Sequence, residues 1–417
     1  MTLDLNRIRQ EFPALQRPAI YLDNPGGTQV ARTSLERINR YLIDTNANHG
    51  GLFSTSRASD AIVDETRAAM ADFLNAARPE EIVLGPNMTT LTFRLSHALA
   101  KRIHAGDTIV VTNLDHDANI SPWLHLAADT GCRVRRVDFD PATGKLDLED
   151  FKAAMAEKPA LVAFGYASNA LGTVNPALEL TALAKAAGAL VYIDAVQFAP
   201  HGPIDVQALG CDFLVCSAYK FFGPHVGILY GRHELLEELY AYRVRPAPAD
   251  APGKFETGTN NFEGIAGTLG ALEHFEWLGR TFGAEHLELF AGQYAGRRLM
   301  YKQAMSALRA YEHELSRALI EIIQELPGAT LYGPTDLRNL DERVPTVSFT
   351  LQSRTPAEVA THLGEREIYV WNGNFYALAV TTRLGLEGRG GLIRVGATHY
   401  NTLEEIERFG AAMRELF

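Results

Sequence analysis

Between residues 81 and 231 the chain alternates short, continuous apolar runs with stretches whose apolar residues recur at helical spacing. Residues 81–85, 108–112, 160–164, 189–194 and 212–217 read as strands. Residues 88–100 read as a helix, a second helix follows Pro122, and a third opens at Pro176 and stops near Gly188. Proline suits a first helical turn and glycine suits the position just past the last. Strands apolar throughout, separated by helices, predict a parallel sheet covered on both faces. Ligands of such sheets bind beyond the carboxyl ends of the strands. From 284 to 326 the pattern is one unusually long helical run. Strands at 329–333 and 344–350, a helix near 356–363 and further short strands follow it, which predicts a smaller α+β domain. The Pro-rich stretch 245–252 reads as a loop. The expected division is an N-terminal segment, 1–20, packed on the small domain, then a large domain, 21–275, and the small domain, 276–417.

The chemistry-bearing residues fall where the pattern ends its strands. Lys220 follows the run 212–217 and precedes a Gly-Pro turn. An ammonium is costly to desolvate at the mouth of a core strand. The cost largely disappears if the amine is held as an imine, which beside a phosphate-bearing cofactor suggests pyridoxal phosphate (PLP). Asp194 ends the preceding strand; a carboxylate there can pair with a protonated pyridine nitrogen, although alone it reads equally as a helix N-cap. Asn169 and Gln197 could hydrogen-bond the ring hydroxyl. Asn87-Met-Thr89-Thr90 opens a helix, which suits either a phosphate or plain capping. His116, in Asp115-His-Asp117, could stack on a cofactor ring and relay protons. No second His/Cys cluster converges on it by spacing, so a metal is not expected. Arg394 is a charge inside a short apolar strand, suited to a substrate carboxylate or to a structural ion pair. The Gly-rich segment 385–391 lacks the Lys-Ser/Thr of a phosphate-binding loop and reads as a hairpin or active-site loop.

Composition narrows the partners. With 417 residues, 47% of them hydrophobic, the chain can bury a large core. A net charge of -11 without a long basic run argues against nucleic acid. No apolar run is long enough to span a bilayer, and the polar, acidic start is unlike a secretory signal. Cys132, Cys211 and Cys216 lack metal-type spacing, so a cytoplasmic protein with reduced thiols is expected.

Several segments, in order, resemble the class V aminotransferases, the fold-type-I PLP branch that includes cysteine desulfurases and selenocysteine lyases. They are Tyr21-Leu-Asp-Asn24, Ser168-Asn169-Ala-Leu-Gly172-Thr, Asp194-Ala-Val-Gln197, Ser217-Ala-Tyr-Lys220-Phe-Phe-Gly-Pro and Phe255-Glu-Thr-Gly258-Thr259-Asn-Asn. The resemblance implies a mostly parallel seven-stranded sheet between helices, plus the small domain. It implies that Lys220 bonds PLP and shuttles the α-proton of an amino acid, and that Asp194 pairs with the ring nitrogen. His116 would stack on the ring, and Asn169 and Gln197 would contact its oxygen. Thr89, the amide of Met88 and Ser217 would hold the phosphate. Thr259 would reach the partner subunit's phosphate in a homodimer, and Arg394 would bind the substrate carboxylate. Tyr219 replaces the family's usual histidine, and its phenol can still donate to a phosphate. Where desulfurases carry a sulfur-accepting cysteine in a segment resembling R-T-G-x-x-C, this chain has Trp371-Asn-Gly-Asn-Phe375-Tyr376. The expected activity is therefore β-elimination, of the C–S or C–Se lyase type, without a protein-bound persulfide. Transamination or epimerisation is the alternative, and a PLP-fold binding or regulatory protein with little turnover is the third reading. Trp371, Phe375 and Tyr376 read either as an aromatic pocket wall or as packing of the small domain.

Overall fold

The computed structural model describes residues 3–417. Its largest sheet has seven strands: β1 (Ile82–Gly85), β2 (Thr108–Thr112), β3 (Arg133–Val137), β4 (Leu161–Gly165), β5 (Leu190–Asp194), β6 (Phe213–Ser217) and β7 (Gly227–Gly231). Their spatial order is β1-β7-β6-β5-β4-β2-β3. Strands β6, β5, β4, β2 and β3 are parallel neighbours, and β7 runs antiparallel to both β1 and β6. Side chains alternate between two cores, as a pleated strand requires. Val110, Val162, Val191, Ile193 and Leu214 face one core, and Ile109, Val111, Leu161, Tyr192 and Val215 face the other. This explains why the strands read as unbroken apolar runs.

Two strands of this sheet were not anticipated. β3 is an edge strand with three arginines, so it lacks the apolar run that marks a buried strand. β7 is fully buried but bounded by glycines. The helical run expected over 284–326 is broken. A short turn and a four-residue helix end at Phe290, Gly292 and Gly296 adopt positive φ, and the long helix spans Gly296–Gln324. It joins two cores, since Met305 and Leu308 pack against the large sheet while Leu315, Leu319 and Ile323 pack in a third cluster.

That third cluster covers a four-stranded antiparallel sheet of β8 (Ala329–Tyr332), β9 (Thr346–Leu351), β10 (Trp371–Gly373) and β11 (Leu392–Gly396), in the order β8-β9-β11-β10. The N-terminal segment ties the two parts. Arg9 donates to Tyr400 O and pairs with Glu405, and the Phe12 ring packs edge-on to Phe222, His274 and His399. Residues Ile20 and Tyr21 pair in parallel with Ile368 and Tyr369.

Candidate active site

The carboxyl ends of β2, β4, β5 and β6 converge on one cavity of about 870 Å3 and a smaller inner chamber of about 60 Å3. Met88, Thr89, His116, Asn169, Asp194, Gln197, Tyr219 and Lys220 line the inner chamber. Arg394 lines the larger cavity, together with Thr89, His116, Asn169, Tyr219 and Lys220, which the two spaces share. Residues spread over nearly the whole sequence are thus brought together. Ser217 lies just behind, fully buried, where its Oγ accepts from Met88 N at 3.2 Å. Thr259 is elsewhere: it lines a separate cavity with His225, Asn260 and Asn261.

Local structure sets each side chain. β6 ends at Ser217 and a short helical turn over Ala218–Lys220 carries the lysine off the strand end. Lys220 is 7% exposed, and Nζ donates to Pro25 O. Asp194 closes β5 in register with Val215 and Gly165 on its neighbours, and its Oδ1 accepts from Val196 N at 2.9 Å. Asn87 caps the Met88–Leu99 helix, accepting from Thr90 N at 2.8 Å. Capping by Asn87 leaves Thr89 free to face the chamber. His116 Nδ1 accepts from Ala118 N at 3.0 Å. The neutral ring therefore carries its proton on Nε2. Arg394 stands in the middle of β11, opposite Trp371 and Ser348. Its Nη1 donates to Asn169 O at 3.0 Å, and its guanidinium lies 4.1 Å from the Phe375 ring centre.

Burial tunes these groups. It lowers the Lys220 ammonium to about 7, helped by Arg394 and opposed by Asp194. It raises Asp194 to about 6, opposed by the Val196 hydrogen bond and by Lys220. It lowers His116 to about 4, with Lys220 adding to the effect and Asp117 opposing it. Arg394 falls to about 9, again chiefly through burial. Perturbed lysine, aspartate, histidine and arginine on one concave site mark a candidate active site.

The sequence reading missed two contributors. The Pro25 carbonyl receives Lys220, and no side-chain pattern could have flagged a backbone acceptor. Asp115 lines the inner chamber, buried, accepting from Gly165 N at 2.7 Å and Asn119 Nδ2 at 2.9 Å. Burial, with the Asp194 charge, raises its carboxyl well above the usual range. Its signal was its place beside His116. No three His, Cys, Asp or Glu side chains among the described residues converge as metal ligands would. All three cysteines are free and buried, and none lines either cavity.

The chamber is chemically fitted to a cofactor such as PLP. Asn169 Oδ1, Gln197 Oε1 and Arg394 Nε are buried without a hydrogen-bond partner. Unpaired buried polar atoms are costly, and these three belong to residues that line the two spaces, so a polar ligand would satisfy them. The donor set also matches: an amine, a carboxylate for a pyridinium, and a helix N-terminus for a phosphate.

Comparison with known proteins gives a consistent picture. The family described as Aminotransferase class-V matches residues 20–295 and 280–409. The chain is 34% identical to the "Aminotransferase-like protein FGM3" of Gibberella zeae, over 99% of this chain and 98% of that one. It is 31% identical to a cysteine desulfurase of Synechococcus elongatus over 99% of its own length, and spans 64% of that protein's length. Among solved structures, a cysteine desulfurase from Thermococcus onnurineus superposes with a TM-score of 0.85 at 28% identity, covering 100% of this chain and 98% of that one. The cysteine desulfurase CsdA from Escherichia coli gives 0.83 at 25% identity, with 100% of both chains covered. The chain belongs to the class V aminotransferase family, whose members are PLP-dependent enzymes.

Proposed function

We propose that the chain is a PLP-dependent lyase acting on a small amino acid, cysteine desulfurase-like in architecture. The observation that carries this reading is the buried Lys220, its amine lowered to about 7, in one chamber with Asp194, Asn169 and Gln197. Lys220 would hold the cofactor through Nζ until the substrate amine takes its place and frees the lysine amine, and Asp194 would pair with the ring nitrogen. Asn169 and Gln197 offer amides to the ring oxygen. Thr89, Met88 N, Ser217 and Tyr219 hold the phosphate, and His116 covers the ring. Bound there, PLP supplies an electron sink that lets an amino acid lose its α-proton. Arg394, which makes no salt bridge among the described residues although the Asp23 charge acts on it, takes the substrate carboxylate. Lys220 Nζ accepts the α-proton, and its lowered basicity leaves much of the amine free to do so near neutral pH. The Cβ–leaving group bond then breaks with its electron pair on the leaving group, and a Cα–Cβ double bond forms. The released product hydrolyses to pyruvate and ammonia. With no cysteine on the cavity wall, the leaving group departs directly.

The active form is proposed to be a cytoplasmic homodimer with residues 21–275 as the cofactor domain and 276–417 as the small domain. Exposed Ile43, Leu52 and Phe53 on one stretch, and Tyr240, Tyr242 and Val244 on another, offer apolar surface for a second copy to cover. Thr259, outside its own chain's chamber, is free to serve the partner's phosphate. No helix among the described residues is long and apolar enough to cross a membrane, and the free thiols suit a reducing compartment.

Borohydride reduction followed by peptide mass mapping tests the site. One pyridoxyl group is expected on Lys220, and labelling of another lysine overturns the assignment. A panel of amino acids assayed for pyruvate, sulfide and keto acid then tests the reaction. Pyruvate with a released leaving group supports elimination, whereas a substrate-derived keto acid with pyridoxamine points to transamination.

A further inference from the structure

The segment standing where a desulfurase keeps its mobile cysteine is a fastened turn here. Phe375 and Tyr376 both adopt left-handed backbone conformations, with φ 56° and 57°. Two adjacent non-glycine residues in that region cost about 1–2 kcal/mol each, so the surroundings must hold them there. Tyr376 O accepts from Asp117 N at 2.7 Å, and Phe375 O accepts from Asn169 Nδ2 at 2.9 Å. Asn374 braces the turn from within, its Oδ1 accepting from Tyr376 N at 3.1 Å, while its Nδ2 reaches Glu387 at 2.9 Å. The turn is therefore tied to the loops that carry His116 and Asn169.

The ring so placed is 75% exposed, which is not how a tyrosine serves core packing. It lies over His116, with ring centres 5.6 Å apart and planes inclined by 19°, a separation typical of offset aromatic stacking. The Ala118 amide already fixes the His116 tautomer through Nδ1. The stack adds the second constraint, the plane of the ring. The phenol hydroxyl makes no hydrogen bond among the described residues, so the ring face is what the contact uses.

We propose that Tyr376 is a positioning residue: its ring backs the His116 imidazole, held by a turn that Asp117 and Asn169 fasten, and fixes its plane at the cavity wall. The proposal rests on the assignment of His116 to the cofactor site.

The test is His116 side-chain NMR, in protein without cofactor, for wild type, Tyr376→Phe and Tyr376→Ala. Phenylalanine keeps the stack and is expected to keep both the Nε2–H tautomer signature and the low titration midpoint. Alanine uncovers one face, so the midpoint is expected to rise by more than one pH unit. Lys220, Asp117 and Arg394, the charged groups that act on His116, are unchanged in all three proteins. In turnover, Tyr376→Ala is expected to lower kcat about tenfold, and Tyr376→Phe to stay within twofold of wild type. An unchanged His116 midpoint in Tyr376→Ala overturns the proposal. So does a Tyr376→Phe enzyme as slow as the alanine variant, which would assign the effect to the hydroxyl. Borohydride labelling of Lys220 in the same variants separates the two readings: normal labelling with unchanged His116 titration sinks the clamp alone, and absent labelling in wild type sinks the cofactor assignment.

Discussion

Lys220 and Lys302 are both buried, at 7% and 1% exposure, each beside a tyrosine ring, at 5.2 Å from Tyr219 and 5.5 Å from Tyr294. Burial lowers both ammonium groups, to about 7 and about 8, and an aspartate opposes the shift in each case. Neither burial nor basicity separates them. What differs is how their donors are spent. Lys302 donates hydrogen bonds to two carbonyls, Ile204 O and Phe73 O, and Asp205 nearby is engaged by Tyr294 and Ala208 N. Lys220 meets one carbonyl, Pro25 O, and opens on a cavity where Asn169, Gln197 and Arg394 keep unpaired polar atoms. A structural lysine is surrounded by satisfied groups, and a reactive one has unsatisfied groups around it.

Substituting the two lysines should split them cleanly. Lys220→Met is expected to lower turnover by about a thousandfold or more, since both the cofactor bond and the α-proton acceptor go. Without cofactor its melting temperature should fall less than that of Lys302→Met, because relief of the buried ammonium offsets the loss of a single bond, to Pro25 O. Lys302→Met should do the reverse, losing about 2–4 kcal/mol of stability by leaving Ile204 O and Phe73 O unpaired, with turnover per folded molecule kept. Denaturant midpoints and steady-state rates on both variants measure this. Equal losses of stability would erase the distinction.

Two arginines, each with a buried and unpaired Nε, differ instead in what the rest of the guanidinium meets. Arg343 and Arg394 are each 3% exposed. Arg343 binds two carbonyls, Pro334 O and Thr346 O, whereas Arg394 binds one and faces the cavity. Arg394→Gln is expected to raise KM about 10–100-fold, from a charged hydrogen bond of about 1.5–3 kcal/mol, with little change in stability. Arg343→Gln should lower stability and leave KM alone. A KM increase shared by both variants would show that Arg394 acts through the scaffold.

Much of the large sheet was legible because its strands are buried on both faces. The expected strand 108–112 is Thr108–Thr112, and Pro176 caps the helix Ala177–Ala186. What escaped has physical causes. The Phe262–Phe282 helix carries glycines at 264, 267, 270 and 279, which weaken an apolar stripe. They are there for close approach: a Cβ on Gly270 would lie 2.4 Å from Thr33 O, and Thr33 and Ser34 hydroxyls donate to Gly270 O and Gly267 O. At the site, Asp194, Lys220 and His116 could be read because strand ends are predictable positions. The Pro25 carbonyl could not, since its role depends on tertiary contact across 195 residues. The pinning of Phe375 and Tyr376 was equally hidden, because both fasteners come from distant loops.

The smallest effect contrasts the histidine of the cavity with those of the dry core. His274 and His399 meet Nε2 to Nε2 at 3.4 Å, so one neutral ring donates to the other. Phe12 and Phe222 pack edge-on to both. Burial lowers His274 to about 3 and His399 well below its usual value. Both folded values lie beneath the unfolded value near 6.5, so the unfolded chain takes up protons first as pH falls. Their stabilisation is complete above about pH 6.5 and is lost progressively toward the folded values. Between pH 7 and 5.5 the loss should be about 1 kcal/mol for each histidine. Chemical denaturation across that range measures the slope, and His274→Phe, which suits the aromatic surroundings, should reduce it. Burial lowers His116 to about 4 as well, so it adds to this slope with the same sign, but it stands at an open cavity and its removal should also lower turnover. If His274→Phe left the slope of stability against pH unchanged, the acid sensitivity would have to reside in other groups.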